Sequence, residues 1–326
     1  MRPAVDPGNP STALLETVVH LFPGQGDFAL GPLVRAVGRG GVLRPAAVEV
    51  FEQVDPVAVE RGLVPLGPWL LGPAPPGGRE LARAGPGAIQ LALFGASMTV
   101  HQALCAAFGR PRAVVGVSFG EIAALTGAGV LTMADGARVA HDLALVLAHC
   151  PGGMTLLPCS ESAALRLLDR AGARGTAVAC VNDADETVVS GPLEELAAVE
   201  AHAAKEGLDA VRLRLPFASH HPALESQARE FARAARRYPV GAGRSTVYSA
   251  VAGRAYGPGD VLSARLADCL TRPARLPGVL RQVAELGPAA YFEAGTGGAL
   301  ARSARRVLAG RAPAVHAPLA DAGFVW

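Results

Sequence analysis

Ser118 stands in the run Ala113-Val114-Val115-Gly116-Val117-Ser118-Phe119-Gly120-Glu121, where a β-branched stretch ends in Gly-x-Ser-x-Gly. Residues 121–125 follow as a helical pattern, so the order is strand, serine, helix. That order makes a nucleophile elbow. Gly116 and Gly120 remove side chains that would clash across a tight turn, leaving the Ser118 hydroxyl exposed. A helix N-terminus beside the serine also favours negative charge on a developing oxyanion.

A serine hydroxyl needs a base to attack near neutral pH, and histidine is the usual one. Of the eight histidines, His101, His141, His149 and His202 fall inside helical patterns, His20 in a strand and His316 near the end of the chain. His220 and His221 differ, because they lie in Phe217-Ala-Ser-His-His-Pro222, a loop at a domain junction where clefts form. Spacing does not choose between them. No Asp or Glu stands out as a third member.

Around these residues the chain alternates strands and helices. An apolar strand over 14–21 runs into Phe22-Pro-Gly-Gln-Gly26, whose glycines allow close backbone approach at Gln25. Residues 45–85 read as short helical pieces between Pro/Gly turns, a surface excursion, and 88–108 and 134–148 read as helices. From 154 the rhythm becomes strand, helix, strand, strand, helix, strand, ending near 215. That is the order of a ferredoxin-like unit. Strands at 247–250 and 290–294 and helices at 276–286 and 299–308 complete the pattern. The expected fold is α/β: a large α/β domain from residues 1–151 and 218–326, with a smaller ferredoxin-like subdomain inserted at 152–217.

At 326 residues the chain can bury a large core; half of it is hydrophobic and 18% charged. A net charge of +2 without a dense Lys/Arg face argues against nucleic acid as a partner. The five cysteines form no CxxC pair, so neither disulfides nor a metal site is expected. No leader-like start and no uninterrupted apolar stretch of membrane-spanning length is seen, so a cytoplasmic protein without a membrane partner is the expectation.

Four ordered segments carry a resemblance. Phe22-Pro-Gly-Gln-Gly26, the Ser118 elbow with Glu121, Ser219-His220 and Phe292-Glu-Ala-Gly295 occur in the order found in malonyl-CoA:acyl-carrier-protein transacylases and polyketide synthase acyltransferase domains. Asn182…Val188-Val-Ser-Gly191 and Tyr248-Ser-x-Val-x-Gly253 resemble family segments as well, so the likeness covers roughly residues 18 to 310. It implies that the large domain (1–151 and 218–326) is α/β-hydrolase-like, that Ser118 is acylated from a thioester, and that His220 takes its proton and later activates the incoming thiol. It also implies an oxyanion hole from the backbone amides at Gln25 and Phe119, and a histidine oriented by a backbone carbonyl near Tyr248–Ala250.

Two departures from the family pattern bear on the cargo. Val117 stands where the family has a histidine before the serine. Dicarboxylate-specific members carry an arginine about 25 residues beyond the serine, a position occupied here by Leu143, and Arg138 is five residues away on another helix face. A buried malonyl carboxylate without that partner would cost several kcal/mol. The expected cargo is therefore an acyl group without a terminal carboxylate, a starter, aminoacyl or peptidyl-type unit, held by Val117, Leu143, Phe217 and Ser219. The alternatives are an editing hydrolase and a malonyl transacylase.

The resemblance further implies a monomeric, trans-acting acyltransferase of polyketide biosynthesis with no bound cofactor. Its substrates ride on phosphopantetheine, attached to acyl carrier proteins or, as the alternative donor, coenzyme A. Arg302, Arg305 and Arg306, after Gly298, are the expected contacts for an acidic carrier protein.

Overall fold

The computed structural model describes residues 18–26, 29–72, 74–311 and 313–326. The part of the expected first strand before Val18 lies outside the described residues. Eleven strands are formed among these residues: β1 (Val18–Phe22), β2 (Ala113–Gly116), β3 (Gly153–Leu157), β4 (Ala177–Asp183), β5 (Glu186–Gly191), β6 (Val211–Arg212), β7 (Thr246–Ser249), β8 (Arg254–Ala255), β9 (Ala274–Arg275), β10 (Ala290–Glu293) and β11 (Ala314–His316).

The larger sheet has the order β11-β10-β1-β2-β7-β8, parallel throughout except for β8. Every residue of β1, β2 and β10 is buried, as expected of parallel strands covered by helices on both faces. Alternation sorts them between two cores. Val18 and Phe22 pack with Phe51 and Phe94 on one side, while Val19 and Leu21 pack with Val115 and Tyr291 on the other. β1 lies between β2 and β10, so the chain leaves it in one direction and returns on its far side. Ligands of open α/β sheets bind at such a switch point, beyond the carboxyl ends of the strands.

The helix Ala88–Phe108 runs through the first core, buried along most of its length. By length and mean hydropathy (1.4) it could cross a bilayer, but here its neighbours are the helices and the sheet of this fold. Residues 45–85 depart from the expected surface excursion. Leu43–Glu60 is an 18-residue helix that buries Val50, Phe51 and Val54 completely, and Gly95 lets the Phe51 ring press against the central helix. Pro45 falls in its first turn, where no amide is needed, so the proline that suggested a turn is compatible with helix.

The smaller sheet has the order β6-β3-β5-β4-β9. Its first four strands are antiparallel and joined by the helices Glu161–Ala171 and Leu193–Lys205, the ferredoxin-like arrangement expected. Ser160 caps the first helix by accepting from the Ala163 amide, and Gly172, at φ +65°, ends it. β9 adds itself parallel to β4 and arrives from after residue 271, so it stitches the smaller sheet to the rest of the chain. Two residues are too short to show as a strand in a sequence pattern.

Candidate active site

β1 and β2 end side by side, with Phe22 opposite Gly116 in the register. The loop Pro23–Gly26 and the Ser118 turn therefore leave the sheet at the same edge. Both glycines of the elbow are required by space. A Cβ on Gly120 would lie 2.2 Å from the Phe22 carbonyl oxygen, and one on Gly116 would lie 2.6 Å from the Glu121 Cα. Ser118 itself is held at φ +57°. Glu121 donates its amide to the Ser118 carbonyl, starting the helix Gly120–Gly127 directly beneath the serine.

His220 is the other half of the site, at φ +56°. Among the described residues, it and Ser118 are the only non-glycines at positive φ. Such strain persists only where surrounding structure enforces it, and it clusters at functional sites. The enforcing bonds are visible. Ser219 donates its amide to the Ser190 hydroxyl at the end of β5, and its own hydroxyl to the Cys269 carbonyl. The His221 amide donates to the Leu270 carbonyl, so the loop is pinned to the last turn of the helix Leu262–Thr271.

His220 Nε2 lies 2.7 Å from Ser118 Oγ, and its Nδ1 lies 2.7 Å from the Arg272 carbonyl oxygen. A carbonyl can only accept, so Nδ1 carries the hydrogen and Nε2 offers its lone pair to the serine hydroxyl. Burial pulls the His220 pKa down from 6.5 to about 4, against the opposing pull of the Arg272 carbonyl. The ring is thus a neutral base at physiological pH. The orienting carbonyl is that of Arg272 rather than one in Tyr248–Ala250, because β9 brings the chain after residue 271 under the ring. His221 faces away, its Nε2 2.9 Å from the Gly175 carbonyl.

The amides of Gln25 and Phe119 donate to no group among the described residues, and Phe119 forms the N-terminal cap of the helix Gly120–Gly127. Gly24 holds the Gln25 loop close, since a Cβ there would stand 3.5 Å from the Ser118 Cβ. Gln90, on the first turn of the helix Ala88–Phe108, donates its side-chain amide to Gln25 Oε1 at 2.9 Å. Gln90 was not singled out from sequence. A polar side chain in the apolar first two turns of the helix was the signal for it.

Behind the serine, Glu121 is fully buried, with Ser249 donating to it at 2.6 Å and the Tyr256 hydroxyl donating to its other oxygen. Burial pushes its pKa up to about 7. Glu293 likewise turns inward and accepts from the Ala301 amide at the start of the helix Ala299–Val307. These two carboxyls brace the turns after β2 and β10.

Ser118 and His220 open into a cavity of about 320 Å³ between the two sheets. Its walls are mainly apolar, with Val117, Met154, Leu156, Val188 and Phe217 among them, and Asn182, Glu186 and Arg302 form a polar part. Val117, Phe217 and Ser219 line it as expected. Leu143 does not. It packs, 4% exposed, into the first core from the helix Met133–Leu147, and its short side chain ends there. Arg138 is engaged elsewhere, paired with Glu60 and Asp135.

The three arginines of the helix Ala299–Val307 separate. Arg302 lines the cavity, Arg305 binds Asp321 and the Val315 carbonyl, and Arg306 binds Asp183. Elsewhere, His20, His101 and Cys105 come together in the core, with all three donor atoms within 4.8 Å of one another. The two Nδ1 atoms are already hydrogen-bonded at 2.9 Å, and burial holds both histidines neutral. The cluster stands apart from the serine and its cavity.

A family model described as acyl transferase domain matches residues 85–319. Over 203 residues, 62% of this chain, the sequence is 34% identical to the spectinabilin polyketide synthase system protein NorA' of Streptomyces orinoci. Over 220 residues, 66% of this chain, it is 31% identical to the polyketide biosynthesis protein ThaF of Burkholderia thailandensis. The matches span only 6% and 19% of the length of those two proteins. Among solved structures, the malonyl-CoA:acyl carrier protein transacylase of Xanthomonas oryzae superposes with a TM-score of 0.80 at 24% identity, covering 94% of this chain and 96% of that one. The acyltransferase domain of module 8 of the salinomycin polyketide synthase gives 0.78 at 25% identity, over 93% and 70%. A malonyl-transacylase solved in complex with its type II polyketide synthase acyl-carrier protein gives 0.80 at 20% identity, over 94% and 97%. With the fold shared along almost its whole described length and the family model matched over most of the sequence, this chain belongs to the acyl transferase domain family.

Proposed function

We propose that this protein moves a neutral acyl group, one without a terminal carboxylate, onto an acyl carrier protein in polyketide or fatty acid assembly. In this reading Ser118 Oγ attacks the thioester carbonyl while its proton passes to His220 Nε2. The amides of Gln25 and Phe119 stabilise the oxyanion. The leaving thiolate takes the proton from His220 and departs, leaving the acyl group as an ester on Ser118. The second half runs in reverse: a carrier-bound thiol gives its proton to His220, its sulfur attacks the ester, and Ser118 recovers its hydroxyl. The imidazolium forms only transiently, which suits a ring that burial keeps neutral at rest.

What supports the cargo assignment is the apolar wall around Ser118, with Leu143 withdrawn into the core; the family resemblance would put the arginine of dicarboxylate-specific members at that position. A carboxylate in that wall would be desolvated without a partner. Two further expectations belong to the same reading: residues 152–217 act as an inserted subdomain that supplies much of the cavity wall, and the protein works in the cytoplasm as a monomer. The test is intact mass after incubation with acetyl, propionyl and malonyl thioesters of N-acetylcysteamine, followed by addition of holo carrier protein. Acetyl or propionyl adducts on Ser118 that transfer to the carrier are expected. A malonyl adduct formed faster than either neutral one would overturn the assignment, and release of free acid faster than transfer would identify a hydrolase.

A further inference from the structure

Arg302 is the one cationic side chain among the residues lining the cavity, so it is the group that could rescue a carboxylate there. It is already engaged. Its guanidinium Nη2 lies 3.6 Å from Glu186 Oε2, and Glu186 lines the same cavity with its side chain only 10% exposed, against 50% for Arg302. The other oxygen of Glu186 accepts from Asn182 Nδ2 at 2.8 Å, a bond between the end of β4 and the start of β5. Glu186 would have to give up the Asn182 bond to swing out to water.

We propose that Glu186 is a specificity-determining residue that disarms Arg302 and so excludes carboxylate-bearing acyl groups from the cavity. The inference rests on the assignment of a neutral cargo and names a residue that enforces it. A guanidinium clamps a carboxylate by offering two parallel N–H donors to it. Here an incoming carboxylate would have to share Arg302 with a carboxylate that is nearly buried and held in place by Asn182. Two carboxylates in one poorly solvated site repel, and one must take up a proton or move. A neutral acyl chain meets no such cost, because it asks nothing of the pair. The filter is thus a second device beside the loss of an arginine at Leu143, and it sits on a different element of the chain.

The test compares second-order rates of Ser118 acylation by acetyl and malonyl thioesters of N-acetylcysteamine, read by intact mass. Glu186→Gln keeps the Asn182 bond and the volume but removes the charge, so Arg302 is released. The malonyl-to-acetyl ratio is expected to rise by roughly tenfold or more. Adding Arg302→Leu to that variant is expected to return the ratio to the wild-type value, since the gain works through the freed guanidinium. Arg302→Leu alone, which leaves Glu186 unbalanced, is expected to leave the ratio at or below wild type. A Glu186→Gln ratio within twofold of wild type, a gain that survives in the double variant, or a rise in Arg302→Leu alone overturns the proposal. These outcomes are separate from the parent reading, which falls if the wild-type protein itself prefers malonyl.

Discussion

The two sheets divide the labour unequally. The larger sheet buries its central strands on both faces and ends β2 in a turn where neither Gly116 nor Gly120 has room for a Cβ. It supplies Ser118, the Gln25 loop and, through Glu121, the brace behind the nucleophile. The smaller sheet is backed on one face by the helices Glu161–Ala171 and Leu193–Lys205, and its other face meets the helices Leu276–Ala284 and Ala299–Val307 and supplies Met154, Leu156 and Val188 to the cavity, with the Asn182–Glu186 bond at the β4–β5 turn. His220 hangs between them, tied to β5 through Ser190 and to the helix before β9 through Leu270. Ser118 and His220 are placed by backbone geometry, whereas the wall of the cavity is made of side chains. Relatives that keep the one sheet and vary the other could share a mechanism and differ in substrate.

Substitutions sharpen that contrast. The largest effect is expected from Ser118→Ala or His220→Ala, each lowering transfer by roughly 10³-fold or more, with the Ser118 variant showing no acyl adduct by mass. Gly120→Ala should be felt in the fold itself. Its Cβ would sit 2.2 Å from the Phe22 carbonyl oxygen, and a loss of about 3 kcal/mol or more in chemical denaturation is expected. A comparable substitution in the cavity wall, Val188→Ala, should cost less stability and change the range of acyl chains accepted.

Acid acts on the parallel-sheet side. With the His220 pKa pulled down to about 4, acylation should stay level from pH 8 to pH 5 and fall as the pH passes through 4. Stability follows the same sign. His20, His101 and His220 are all depressed below 6.5 by burial, so the unfolded chain binds protons that the folded one refuses. Their contribution is fully present above pH 6.5 and is lost as the pH falls from there toward 4. Glu121, raised to about 7, works the other way, losing stability as the pH rises from about 4.5 to 7. His141 is depressed by burial as well, and four histidines against Glu121 predict a melting temperature that falls between pH 6.5 and 4.5, checked by differential scanning fluorimetry. The smallest effect is expected from Gln90→Leu, which frees the Gln25 side chain and should lower kcat roughly tenfold with little change in KM, measured with a saturating neutral acyl thioester.

Motifs made of neighbouring residues were legible in the sequence, and pairings across the chain were not. Gly116, Ser118 and Gly120 declared the elbow because they stand within five residues of one another, although only the Gly116 clash, with Glu121, is local and the Gly120 clash is with the distant Phe22 carbonyl. The ferredoxin-like order was readable because its strands and helices are capped locally, by Ser160 and Gly172 for example. The helix Leu43–Glu60 was missed because its prolines resemble turn signals, and its burial in the first core, with Phe51 against Gly95, explains why it holds. Leu143 was placed in the cavity by counting along a relative's spacing, which fixes a position on a helix but not how far a shorter side chain reaches. Gln90, Glu186 and the Arg272 carbonyl act through partners 65, 4 and 52 residues away; only the Glu186 bond is local, and its value depends on Arg302, far along the chain.

The partner of the His220 Nδ1 hydrogen is a main-chain atom, so a scan of side-chain replacements would pass over it. Arg272 points its own side chain outward to Asp268, 60% exposed, and could be exchanged freely. What has to be kept is the extended conformation of its backbone, φ −112° and ψ 146°. The next residue in the chain is Pro273, whose ring disfavours helical geometry at the residue before it. Heredity can therefore guard this atom only indirectly, through a neighbour that none of the site's hydrogen bonds involves. A survey of natural variants should find position 272 permissive and position 273 intolerant.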